Sequence, residues 1–219
     1  MVGSKQIIVS SDASGAVQAA RDGFVVMIVD VIDMSTTLES ALDVGAYAVL
    51  GASPDYTRAP VEVDPETMGR RAARLSQQTP YGIVLVAEPR VGSDEERLSR
   101  CQKVLRGIER EQGRVEAVVA NIGAEAPRAA DMKGRVVLAV SDTGGVAYDA
   151  ASLFSNQVIT GTVARTLRQR GIQPAVSAVK RARALLQEDN KGIAIIAASR
   201  NSMEDVLAAQ WIANLLLNA

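Results

Sequence analysis

The chain has 219 residues, 47% of them apolar, with 24 basic and 25 acidic side chains and a formal net charge of −1. That length suits one large α/β domain, and the balanced charge excludes the basic excess that electrostatic nucleic-acid binding needs. Histidine is absent and Cys101 is the only cysteine, which excludes a Ser-His-Asp triad, a Cys-His pair, histidine zinc sites, intrachain disulfides and cysteine-rich metal centres.

Aromatic residues make up only 3% of the chain, so Val, Ile, Leu and Ala must fill the core. The N-terminal stretch MVGSKQIIVSSDASG has neither the long apolar segment nor the cleavage site of a signal peptide. The longest apolar runs, 24–29 and 193–198, are too short to span a bilayer. A cytoplasmic protein with no membrane partner is expected.

Strands are predicted over 7–9, 24–29, 46–50, 82–87, 115–120, 135–140, 157–160 and 192–198, where Val and Ile cluster. Most of these runs are continuous rather than alternating, as in strands covered on both faces. Helices are predicted between them. Asp64-Pro65 reads as an N-cap followed by Pro at the first helical position, leading a helix to about Leu75. Ser93-Asp94-Glu95-Glu96 reads as a capping box, after which Leu98, Cys101, Leu105 and Ile108 share one helical face. That makes Cys101 a core residue rather than a nucleophile. Arg165, Arg168 and Arg170 are read as an exposed helix face, and Ser202-Met203-Glu204-Asp205 as the start of an apolar final helix.

The alternation predicts one α/β domain over 1–219, a three-layer α/β/α fold with a mostly parallel or mixed sheet. The two-proline stretch 53–62 is read as its loosest connection. A faint echo suggests two crude structural repeats: Asp33 and Asp142 each precede a short helix, and the spacing from Asp33 to Val49 equals that from Asp142 to Val158.

In open α/β sheets, ligands bind beyond the carboxyl ends of the strands. Those positions hold Asp30 to Thr37, Glu88-Pro89-Arg90, Asn121-Ile122-Gly123, Ser141-Asp142-Thr143-Gly144-Gly145, Thr160-Gly161-Thr162 and Ser199 to Asp205. Helix N-termini with hydroxyls or an Arg suit phosphate, and a few carboxylates with room for water suit magnesium. Each group also has a structural reading. Ser35, Thr36 and Thr37 suit a helix cap, Asp142-Thr143-Gly144-Gly145 an ordinary turn, and Glu204 and Asp205 a first helical turn that favours acids.

At these strand ends the chain resembles the 2-phosphosulfolactate phosphatase family. Val29-Asp30-Val31-Ile32-Asp33-Met34-Ser35-Thr36-Thr37 is similar to the family's D-V-L-R-A-[ST]-T-T, and Ala41-Leu42-Asp43-Val44-Gly45-Ala46 to its A-L-x-x-G-A. Glu88-Pro89-Arg90 resembles a G-E-R strand end. Asn121 to Pro127 stands where the family has G-N-S-P, Ser141-Asp142-Thr143-Gly144 where it has T-N-G-T, and Glu204-Asp205 in its E-D-x-L-A-A-G. The order and spacing of these blocks over nearly the whole chain carry the resemblance.

The resemblance implies a magnesium-dependent phosphatase acting on a small anionic 2-phospho acid. It implies catalytic Asp30, Glu88 and Asp142, and magnesium held by Asp30, Glu88, Glu204 and Asp205. Ser35, Thr36, Thr37, Thr143 and Gly144 would receive the phosphate, with Arg90 and Arg200 taking a second anionic group. The chain departs from the family pattern at Asp33, where the family has Arg, over 121–127 and 142–145, and over 197–201, where its glycines are lost. These departures motivate an alternative, an inactive relative that binds a small anionic ligand or a protein. A homodimer is expected on the general frequency of symmetric dimers, and the apolar C-terminal helix is read as closing the core or carrying the dimer contact.

Overall fold

The computed structural model describes residues 5–218. Residues 1–4, which begin the stretch read as lacking a signal peptide, and residue 219 lie outside the described part. Strands form wherever continuous Val- and Ile-rich runs were predicted: β1 (Gln6–Ser11), β2 (Phe24–Val29), β3 (Ala48–Ala52), β4 (Ile83–Ala87), β5 (Val115–Ala120), β6 (Val136–Val140), β7 (Val158–Thr160) and β8 (Gly192–Ala197). They assemble into two four-stranded sheets, ordered β1-β8-β2-β7 and β3-β6-β4-β5. Every pairing is parallel.

The helices are α1 (Asp12–Arg21), α2 (Met34–Asp43), α3 (Pro65–Ser76), α4 (Asp94–Ser99), α5 (Gln102–Arg110), α6 (Ala126–Ala129), α7 (Gly144–Ser152), α8 (Gln173–Leu185) and α9 (Met203–Asn218). They cover both faces of the sheets in a three-layer α/β/α arrangement. β2 shows why its sequence has no polar alternation: Val25, Met27 and Val29 pack with α8 and α9, while Phe24, Val26 and Ile28 join a core with α1, α2 and α7. All six are buried, and each contributes roughly 1.5–3 kcal/mol of apolar transfer free energy. The second core continues through the other sheet to α3 and α5. There Gly69 and Gly107 let two helix backbones touch, since a Cβ on Gly69 would stand 3.0 Å from the Val104 carbonyl carbon.

The echo in the sequence has a structural counterpart. β2-α2-β3 leaves the first sheet and ends as an edge strand of the second, and β6-α7-β7 makes the reverse crossing. Listed from the opposite edge, the second sheet runs β5-β4-β6-β3, which matches β1-β8-β2-β7 position by position. Among the described residues no helix is long and apolar enough to cross a membrane.

Three local expectations are corrected. The helix begun by the Ser93 capping box does not continue through Cys101; α4 ends and α5 begins anew. A tertiary cap causes the break: the Asp55 carboxylate accepts the backbone N–H groups of Gln102 at 2.7 Å and Lys103 at 2.8 Å. Its own N–H donates to the Arg100 carbonyl at 2.9 Å. The stretch 53–62 is accordingly anchored rather than loose at its start, where Ser53 and Asp55 are buried. Arg165, Arg168 and Arg170 lie in irregular chain before α8, not on a helix, and Arg165 pairs with Glu125 at 2.7 Å.

Candidate functional site

Parallel register places the predicted carboxylates at one end of the sheets. β2 pairs with β8 up to Val29 opposite Ala197, so Asp30 and Ala198 leave their strands side by side. β4 pairs with β6 up to Ala87 opposite Val140, so Glu88 emerges beside Ser141 and Asp142. The helix crossings then bring the two groups together. Asp30, from the first sheet, receives the Gly144 N–H at 3.0 Å and the Thr143 hydroxyl at 3.3 Å, both from the turn after β6 in the second.

Burial pushes the Asp30 carboxyl up to about 7, and the nearby Asp205 charge pushes in the same direction against the pull of Gly144 and Thr143. Asp205 is buried and accepts the Val31 N–H at 2.8 Å; burial raises its pKa too. Glu88 is raised by burial and then by Asp142. Among the described residues neither Asp30 nor Asp205 has an ion-pair partner, whereas Arg100 serves the other two acids. It donates to Asp142 at 2.6 Å and stands 3.9 Å from Glu88. Asn121 completes this side, 3.5 Å from Glu88 and accepting the Thr37 hydroxyl at 2.7 Å.

The remaining predicted residues are distributed differently. The Ser35, Thr36 and Thr37 side chains are buried at the start of α2 and engaged inside the fold. Ser35 donates to the Ile28 carbonyl at 2.9 Å and receives the Asp30 N–H at 3.0 Å. Thr36 donates to the Val31 carbonyl at 2.7 Å. Gly144 does offer its N–H at a helix start, to Asp30 rather than to open space. Arg90 forms an ion pair with Asp33, and Arg200 with Asp12. Glu204 is exposed in the first turn of α9 while its neighbour Asp205 is buried.

Among the described residues no three Asp, Glu or Cys side chains stand close enough to hold a metal ion. The four acids read as magnesium ligands do not form a ready-made cage. Magnesium is also bound in a sparse mode, in which one or two carboxylates hold the ion and water and substrate oxygens complete the octahedron. Asp30 and Asp205 are buried acids whose charges interact, and neither has an ion-pair partner among the described residues.

Two residues here carried no site signal in the sequence. Arg100 lies within a helical periodicity that breaks at the Asp55 cap, and its side chain pairs with Asp142. Arg58 lies in a stretch read as a linker, yet it lines a cleft of ≈ 350 Å³ with Asp12, Thr57, Asp142, Thr143 and Ser199. Comparisons with protein-family models and with curated proteins gave no match to this chain.

Proposed function

We propose that the protein is a magnesium-dependent phosphate-ester hydrolase of the 2-phosphosulfolactate phosphatase type, acting on a small anionic 2-phospho acid. The observation that carries this reading is the row of acids Asp205, Asp30, Glu88 and Asp142 at the sheet ends, in which Asp30 is buried, cation-free and raised to about 7. Acids with raised pKa values near a cleft are candidates for proton chemistry. When bound, magnesium would polarise the phosphoryl oxygens and acidify a water. Asp30 and Asp205 would hold that charge. Glu88, its pKa raised and its side chain 29% exposed, would take and return the proton, with Asp142 and Arg100 fixing its position.

Inorganic phosphate release from a panel of 2-phospho acids, with magnesium and with chelator, tests the reading. Release is expected only with magnesium, and it should fall at least about a hundredfold in Glu88→Gln, as for loss of a general acid/base. Equal release with chelator, or none from any member of the panel, would overturn it.

A second reading, a ligand-binding relative without catalysis, is favoured by a separate observation. The α7 N-terminus is capped by Asp30, and both arginines read as anion receptors are paired with acids. A thermal-shift panel separates the two, because a ligand bound only by the folded state raises its melting temperature. Stabilisation by a metabolite indifferent to magnesium, without phosphate release, selects the binder.

A homodimer is also proposed. Met203, Leu207 and Trp211 recur at helical spacing along α9 and are exposed. The opposite face, with Ala209, Ile212 and Leu216, closes the core. Trp211→Glu should convert a dimer to a monomer on size-exclusion chromatography, and an unchanged elution volume would remove α9 from the interface.

A further inference from the structure

We propose that Arg58 is the residue that selects a second anionic group on the ligand, in the cleft between the 53–64 loop and the N-termini of α1 and α7. The cleft lies against the carboxylate row, because Asp142 and Thr143 line it and Thr143 also donates to Asp30. Two acids line the cleft, and each is paired with an arginine outside the lining: Asp12 with Arg200, and Asp142 with Arg100, which also stands 3.9 Å from Glu88. Arg58 is the remaining charged lining residue and has no ion-pair partner among the described residues. The lining therefore presents one uncompensated positive charge.

The neutral lining groups suit the same ligand. Thr57 and Ser199 offer hydroxyls, while Thr143 donates its own to Asp30. Asp12 and Ala13 place the first turn of α1 at the wall, and Ser11, at the N-cap of that helix, gives it no side-chain cap. A guanidinium presents a planar fork matched to a carboxylate or similar oxyanion. Tyr56, almost fully exposed, also lines the cleft.

The inference rests on the phospho-acid reading of the adjoining acids and assigns within it. The phosphoryl group lies toward Thr143 and Asp30, and the carboxylate lies on Arg58. A phosphate alone would not require Arg58, and a carboxylate alone would depend on it.

Isothermal titration with 2-phospholactate, isopropyl phosphate and lactate tests this in excess magnesium, with wild type, Arg58→Gln, Arg58→Lys and Arg114→Gln each carried in the Glu88→Gln background so that turnover does not consume the ligand. Arg114 is an exposed arginine leading into β5 and controls for the change of net charge. Loss of a charge-assisted contact predicts that Arg58→Gln binds 2-phospholactate about tenfold or more weakly. Isopropyl phosphate binding should stay within about twofold, Arg58→Lys should recover part of the loss, and Arg114→Gln should match wild type. Because Arg58 is exposed, all variants should melt with wild type. Equal affinity of Arg58→Gln and wild type for 2-phospholactate overturns the assignment. So does an equal loss for isopropyl phosphate, or no binding of any probe by wild type. If the binding pattern appears but the protein with Glu88 intact releases no phosphate, the Arg58 assignment stands and the hydrolase reading fails.

Discussion

The carboxylate of Asp30 accepts the backbone N–H of Gly144 at 3.0 Å, so the residue that leaves β2 caps the helix that leaves β6. Together with the Thr143 hydroxyl on the same carboxylate, this contact joins the two sheets at the point where their helices cross. It also fixes Gly144 as glycine, since an added Cβ would stand 2.8 Å from Asp30 Cβ and 2.9 Å from its Cγ.

Gly144→Ala should therefore destabilise the protein by about 1–3 kcal/mol, the usual cost of overpacking a closed site. In an Asp30→Gly background the opposing side chain is gone and the penalty should largely vanish, a coupling that a double-mutant cycle in urea reads directly. A Gly144→Ala penalty that is the same in both backgrounds would show that the crowding lies elsewhere.

Asp30 should make stability pH-dependent when magnesium is absent. Its pKa rises from 3.8 to about 7 on folding, so the folded chain holds the proton more tightly than the unfolded one. The resulting stability is fully present below the unfolded value and is lost as pH rises through about 7. At one pKa unit per 1.36 kcal/mol, the loss has an upper bound on the order of 4 kcal/mol. Asp149, raised to about 6 by burial, adds a slope of the same sign. Asp30→Asn should flatten part of the wild-type decline in urea midpoint across this window, leaving the parts due to Asp149, Asp205, Glu88 and Glu39, and should exceed wild type in stability at about pH 8. Parallel pH profiles for the two proteins would refute the assignment.

Magnesium should reverse that trend. An ion held by Asp30 and Asp205 needs both ionised, so its stabilisation of the fold should grow as pH rises from about 6 to about 8. The thermal shift produced by magnesium measures this. Asp205→Asn should reduce the shift strongly, and a shift that ignores both pH and Asp205 would place the ion away from these acids.

The strands were legible in the sequence because burial on both faces leaves no polar alternation to obscure them. Strand ends gave Asp30, Glu88 and Asp142 for the same reason: parallel register carries the ends of apolar runs to one rim. What the rim residues pair with was not legible. Arg90 and Arg200 stand at strand ends like receptors, but Asp33 and Asp12 occupy their guanidinium groups. Their partners come from other strand ends, and no local spacing encodes that. Arg100 was hidden by a periodic pattern that Asp55 interrupts from a distant loop. Arg58 has no pattern at all, because an exposed loop residue acquires a role only through the cleft it borders.

Glu39 tests the electrostatics of the fold away from this rim. It is buried in α2, with Arg181 donating at 2.6 Å and the Thr160 hydroxyl at 2.7 Å. Burial raises its pKa, and Arg181 opposes the rise. Arg181→Ala should leave a buried, unpaired carboxylate and cost about 3–5 kcal/mol near neutral pH. Without the arginine the folded-state pKa climbs further, so Glu39 takes up a proton and the deficit against wild type should shrink as pH falls. Glu39→Gln in the Arg181→Ala background removes the buried charge and should recover most of the stability, since glutamine still accepts the Thr160 hydroxyl. Urea titrations of the three variants at two pH values decide it. A deficit that does not change with pH, or a double variant no more stable than Arg181→Ala, would mean that Arg181 acts through packing rather than through the charge of Glu39.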